Sequence, residues 1–147
     1  MADVNNEALH LFVTLTRASQ YVNAHADRHI REQGLNRTEF GVLELLYHKG
    51  RQPLQQIGGK ILMTSGNITY VVDKLEQKQL VVRVACADDR RIWYAEITDK
   101  GRAWIADTFP EHIRVIERAV AGLTAEEQQQ AAALLKKLGL HAQQSLK

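Results

Sequence analysis

Apolar residues recur at three- and four-residue steps through the N-terminal stretch: Ala8, Leu11, Leu15, Ala18, Val22, Ala26 and Ile30. This period gives a helix one apolar face, so the pattern predicts a helix from about Asn6 to Gln33 with Gly34 as its stop. Its stripe needs a cover, from another chain or from a long terminal helix. Asn36 with Glu39 three residues on reads as a capping box, opening a helix whose apolar positions are Phe40, Leu43, Leu46 and Tyr47. Lys49-Gly50 closes it. A short helix opened by Pro53 carries Leu54, Ile57 and Ile61, with Gly58-Gly59 inside it. Met63-Thr64-Ser65 reads as a turn, followed by a helix to about Lys78. Ile68, Val71, Val72 and Leu75 face inward there, while Ser65, Asn67, Thr69, Tyr70, Asp73 and Lys74 face outward.

The period then changes. Leu80–Ala85 (LVVRVA) and Ile92–Ile97 (IWYAEI) are rich in β-branched and aromatic residues and read as two strands of a hairpin with the charged tip CADDRR between them. Thr98 is expected to cap a long helix to about Ala121, kinked at Pro110. Thr124 with Glu127 forms a second capping box, starting a last helix with Ala131, Leu134, Leu135 and Leu138 on one face. The expected fold class is therefore mainly α with a small β-hairpin. A short helix, a turn, a polar-faced second helix and then a hairpin is the sequence shape of a winged helix-turn-helix.

Composition narrows the class without choosing within it. The 147 residues suffice for one domain, and 45% apolar with 24% charged is ordinary for a globular chain. No apolar run approaches the roughly 20 residues of a membrane span, and the N-terminus lacks the basic start and apolar core of a signal peptide. One cysteine, Cys86, excludes an internal disulfide, and a reducing, cytoplasmic setting is expected. The net charge of +2 neither demands nor excludes nucleic acid, so any DNA reading must rest on where the charges sit.

Three runs, LNRTEFGVLELL (Leu35–Leu46), SGNITYVVDKLEQKQLVVR (Ser65–Arg83) and DDRRIWYAEITDKG (Asp88–Gly101), resemble the MarR family of transcription regulators, with the Asp-Arg-Arg tip followed by Thr-x-x-Gly as the most family-specific part. The run NITYVVDKLEQK most resembles members that respond to quinones, hydroquinones and related phenolics. Two positions depart from the family's habit: Tyr70 stands where a basic residue is frequent, and Gln79 where a glycine often ends the helix. The resemblance implies a homodimeric repressor of double-stranded DNA with a pseudo-palindromic operator. It implies a DNA-binding lobe over residues 34–102 and a dimerisation lobe from 1–33 with 103–147. It also implies a small effector bound between the two.

A helix with short polar side chains near its start fits the major groove, and arginine suits the narrow minor groove. The expected DNA-binding residues are Thr64, Ser65, Asn67, Thr69, Tyr70 and Lys74 on the helix, with Arg90 and Arg91 at the tip. Lys74 is read as a phosphate contact and Asp89 as support that orients one tip arginine. Asp73 would repel phosphate, so it is expected to pair with a cation or to sit off the backbone. Phe12, Leu15, Phe40, Leu43 and Tyr47 are the expected effector pocket. Cys86 has Asp88 and Asp89 beside it, which oppose a thiolate, so no redox role is read into it. His25 and His29, four apart, are a metal half-site without a completing ligand; no metal or cofactor is expected. No nucleophile elbow, phosphate-binding glycine loop or paired carboxylates occur, so an enzyme is not expected. Two other classes stay open on these residues: a metal-responsive regulator, and a winged-helix module that docks a protein.

Overall fold

The structure, a computed structural model, describes residues 6–61 and 68–146. Among these residues, six helices and three short strands follow in the order α1 (Glu7–Glu32), α2 (Arg37–Lys49), β1 (Gln52–Pro53), α3 (Leu54–Lys60), α4 (Ile68–Gln77), β2 (Val81–Ala85), β3 (Trp93–Ile97), α5 (Asp99–Ala119) and α6 (Ala125–Gln144). The expected turn at Met63-Thr64-Ser65 lies outside the described residues. No helix among the described residues is long and apolar enough to cross a membrane.

Helix ends follow their caps. Asn6 accepts from the Leu9 amide at 3.0 Å. Asn36 and Glu39 exchange both capping-box bonds, at 2.8 and 3.0 Å, and Thr124 and Glu127 do the same. α1 ends with the Leu35 amide on the Ile30 carbonyl and the Gly34 amide on that of Arg31, with Gly34 at φ +92°. α4 ends in the same pair of bonds, Leu80 to Leu75 and Gln79 to Glu76, but a glutamine, Gln79, holds the left-handed position at φ 65°. The residue that departs from the family's glycine therefore keeps the glycine's backbone shape. α5 runs through Pro110 as one element.

β3 is the middle strand, antiparallel to β2 on one side and to β1 on the other, with Arg83 opposite Ala95 and Gln52 opposite Ala95. β1 is an addition to the hairpin that the pattern predicts. Pro53 initiates α3 and also sits in a two-residue edge strand, a place that needs no amide from it. The core lies between α2, α3, α4, the sheet and the start of α5, where Leu43, Leu46, Ile57, Leu75 and Ile105 are fully buried. Each such side chain contributes about 1.5–3 kcal/mol by leaving water.

α1 packs chiefly on α5. Arg37 at the start of α2 grips Asp27 of α1 through two bonds, which hold the Asp27 carboxyl below its ordinary range. Large parts of the terminal helices stay uncovered within one chain. Phe12 is 64% exposed and Leu134 67%, Leu11, Leu135 and Leu138 are exposed as well, and α6 buries none of its residues. The α1 stripe thus does not pack on the Leu134–Leu138 stripe within one chain.

Candidate nucleic-acid interface

The site is built from α4 and the β2–β3 tip. α4 drives Val71, Val72 and Leu75 into the core, which fixes its roll and leaves Thr69, Tyr70 and Gln77 exposed on the far face. Lys74, one turn past Tyr70, holds its ammonium 5.3 Å from the centre of the Tyr70 ring. Thr64, Ser65 and Asn67 lie outside the described residues.

At the tip, Asp89 binds Arg91 three times: Oδ1 accepts from the backbone amide at 3.0 Å and from Nε at 3.1 Å, and Oδ2 from Nη2 at 3.1 Å. The Arg91 side chain, then its amide, hold the Asp89 carboxyl below its usual range. Arg90, next to this clamp, is exposed and has no acidic partner among the described residues. The clamp sets the shape of the turn, and that shape projects Arg90 outward. Gln55 of α3 donates to the Arg91 carbonyl at 3.5 Å, so helix and tip are tied together. Arg51, just before β1, lies 4.7 Å over the Tyr94 ring and adds a cation to the same sheet.

Asp73 does find a cation. Arg83, midway along β2, reaches across to α4, with Nη2 2.5 Å from Asp73 Oδ1 and Nη1 2.8 Å from Glu76 Oε1. The identity of that cation is not read from the pattern, although two acids at i, i+3 opposite a single charge on an apolar strand are a usable signal. The base of α5 locks onto the same corner. Thr98 donates from Oγ1 to the Gln79 carbonyl at 2.7 Å and accepts from the Gly101 amide at 3.0 Å, and its own amide binds the Leu80 carbonyl at 3.0 Å.

The expected effector residues are spread over the core, the surface and one cleft. A cleft of about 840 Å³ opens beside α2, among Asn23 of α1, Phe40, Glu44 and His48 of α2, and Lys60 and Ile61 at the end of α3. Of the five named residues, only Phe40 lines it. Leu43 is fully buried in the core, because its position on α2 turns it inward toward Leu46 and Val42. Phe12 and Tyr47 are exposed, and Leu15 is half-buried on α1.

Behind Phe40 lies a histidine pair that the sequence does not reveal. His29 of α1 and His112 of α5 are both buried, stacked, with their Nδ1 atoms 3.0 Å apart. One must donate and the other accept, so the contact requires at least one neutral ring. Burial, then the neighbouring His29, push the His112 pKa below the ordinary histidine value. His29 Nε2 is buried without a hydrogen-bond partner among the described residues. His25, its expected partner in a metal half-site, is exposed. Among the described residues, no three His, Cys, Asp or Glu side chains gather as a metal would require.

A helix braced to a hairpin behind it, with a cationic tip beside its polar face, is a winged helix-turn-helix, a DNA-binding class of fold. The sequence pattern of the MarR family matches residues 35–93. The chain is 52% identical over 141 residues to the HTH-type transcriptional regulator MhqR of Bacillus subtilis (strain 168), covering 96% of this chain and 97% of that protein. It therefore belongs to the MarR family. Its fold is shared with Sco3205, a MarR family transcriptional regulator from Streptomyces coelicolor solved in complex with DNA (TM-score 0.82, 22% identity, 95% of this chain and 89% of that one). It is shared also with BpsR of Bordetella bronchiseptica, solved to explain regulation of DNA binding by 6-hydroxynicotinic acid (TM-score 0.80, 23% identity, 95% and 97%). The chain is a DNA-binding transcriptional regulator of this family, and its relatives and fold are those of regulators rather than enzymes.

Proposed function

We propose that this protein is a cytoplasmic homodimeric repressor that reads a pseudo-palindromic operator and is released by a small phenolic or quinone-like effector. In this reading, residues 34–102 form the DNA-binding lobe. α4 enters the major groove with Thr69 and Tyr70 toward base edges and Lys74 on phosphate, together with Thr64, Ser65 and Asn67 before it. Arg90 and Arg91 go to the minor groove or its backbone. The observation that carries this assignment is the tip itself, where Asp89 engages Arg91 and leaves Arg90 projecting. The exposed apolar faces of α1 and α6 support a second copy as their cover, since a face with Phe12 and Leu134 each over 60% exposed is costly in water. Two copies related by a two-fold would set half-sites about 10 bp apart.

The cleft beside α2 is our candidate effector site. Phe40 and Ile61 offer apolar walls, and Glu44 and His48 offer hydrogen-bonding groups for a ring hydroxyl. BpsR, of the same fold, has its DNA binding regulated by a small hydroxylated aromatic acid, which supports an effector of this size. Binding isotherms of the purified protein on DNA selected from random duplexes test the reading. Affinity should fall when a hydroquinone is added, and Phe40→Ala should blunt that fall while keeping the DNA affinity. Release that is unchanged by Phe40→Ala and by Glu44→Gln would contradict the cleft.

A further inference from the structure

We infer that Arg83 is a positioning residue for DNA recognition, a brace from the wing strand to α4 that sets the helix against the wing and cancels carboxylate charge along its flank. The inference rests on the reading of α4 as the groove helix. Arg83 is the one charged residue of β2, with Val81, Val82, Val84 and Ala85 around it. Its side chain is only 20% exposed, and among the described residues its polar contacts run to α4: Asp73, Glu76 and the Thr69 carbonyl at 3.2 Å. Its backbone amide adds a bond to Glu76 Oε2 at 3.3 Å. Thr69, Asp73 and Glu76 stand at i, i+4 and i+7, one stripe of the helix, so a single guanidinium spans two turns and fixes both tilt and roll.

The stripe adjoins Tyr70 and Lys74, the pair proposed to meet DNA. Two carboxylates there would repel the phosphate backbone, and Arg83 removes one of the two charges while holding both groups toward the strand. Partly exposed ion pairs add little to stability on their own, so what the brace supplies is chiefly geometry and charge placement. A lysine would restore the charge but not the fork that reaches two carboxylates and a carbonyl together.

The test compares the full-length wild type with Arg83→Lys, Arg83→Ala, Asp73→Asn/Glu76→Gln and Lys74→Ala. Each is titrated against the selected operator and a scrambled duplex at several salt concentrations. Arg83→Lys should keep scrambled-duplex affinity within about twofold while its operator preference falls about tenfold, the scale of one lost base contact. Asp73→Asn/Glu76→Gln should bind scrambled DNA more tightly yet prefer the operator less, two effects of opposite sign that a loss of folding does not produce. Arg83→Ala should weaken both. Wild-type operator preference in Arg83→Lys and in the double variant would overturn the inference, whatever Arg83→Ala does. A Lys74→Ala protein unchanged on both duplexes would instead refute α4 as the reading helix, and the inference with it.

Discussion

Gly101→Ala should destabilise the fold, although alanine is the better helix former. Gly101 is the third residue of α5 and sits against the corner where α4 passes into β2. A Cβ there would lie 2.3 Å from the Leu80 carbonyl oxygen and 2.7 Å from Ile97 Cγ1. Ordinary contact needs about 1 Å more, and the obstacle is backbone that cannot rotate away. Overpacking of this kind costs about 1–3 kcal/mol. The displaced carbonyl is also the acceptor for the Thr98 amide at 3.0 Å, and loosening that bond adds about 1 kcal/mol. Alanine's helix advantage returns about 1 kcal/mol, leaving a net loss near 2 kcal/mol. For a chain of this length the loss lowers Tm by about 4–8 °C. Thermal unfolding at fixed protein concentration reads it, with Gly59→Ala as the control. Gly59 lies within α3 with nothing within 4 Å of its would-be Cβ, so the same substitution should raise stability there, by up to about 1 kcal/mol. A Gly101→Ala protein as stable as wild type would refute the close approach and, with it, the seating of α5 on the α4–β2 corner.

The left-handed Gln79 should be improved by glycine. Gln79→Gly relieves a φ of 65° and should raise the denaturant midpoint by an equivalent of about 0.5–1 kcal/mol, whereas any loss would contradict the end geometry of α4. The buried His112 has its pKa pushed down, so the unfolded chain takes up its proton first. Stability from this group is complete above about pH 6.5 and declines as pH falls below that value toward the folded pKa. Chemical denaturation between pH 7.5 and 5 should show that decline, and His112→Phe should flatten it; an unchanged slope would argue against a buried neutral ring. Cys86→Ser should leave DNA affinity and its release by quinone or oxidant unchanged, and a variant locked on DNA would overturn that expectation.

Much of the architecture is legible because it is local. The boxes at Asn36–Glu39 and Thr124–Glu127 and the glycine end at Gly34 each lie within a few residues and fall where the pattern places them. The hairpin is equally local, with Val81–Ala85 and Trp93–Ile97 within a residue of the expected strands. What is not legible is whatever joins distant segments. β1 is two residues long and pairs with a strand some forty residues on, so alternation has no room to show. His29 and His112 are 83 residues apart, and each read alone is an unremarkable polar position on a helix. The surroundings of the expected effector residues are hidden for a related reason. Helical spacing puts Phe40 and Leu43 on adjacent lines of α2, but only the packing of α4 and α5 decides that Leu43 is core while Phe40 borders the cleft.

In the proposed reading, a dimer grips DNA through paired α4 helices and wing tips. The most direct test is the salt dependence of binding by wild type and Arg90→Ala, on the selected operator and on a scrambled duplex. With Lys74 and Arg90 of both protomers on phosphate, the wild-type log–log slope should be about −4 or steeper, at about 0.9 per contact. Arg90→Ala should flatten that slope on both duplexes alike and keep the operator preference. A wild type that binds DNA with no salt dependence, or an Arg90→Ala protein that loses the operator while keeping the scrambled duplex, would contradict it.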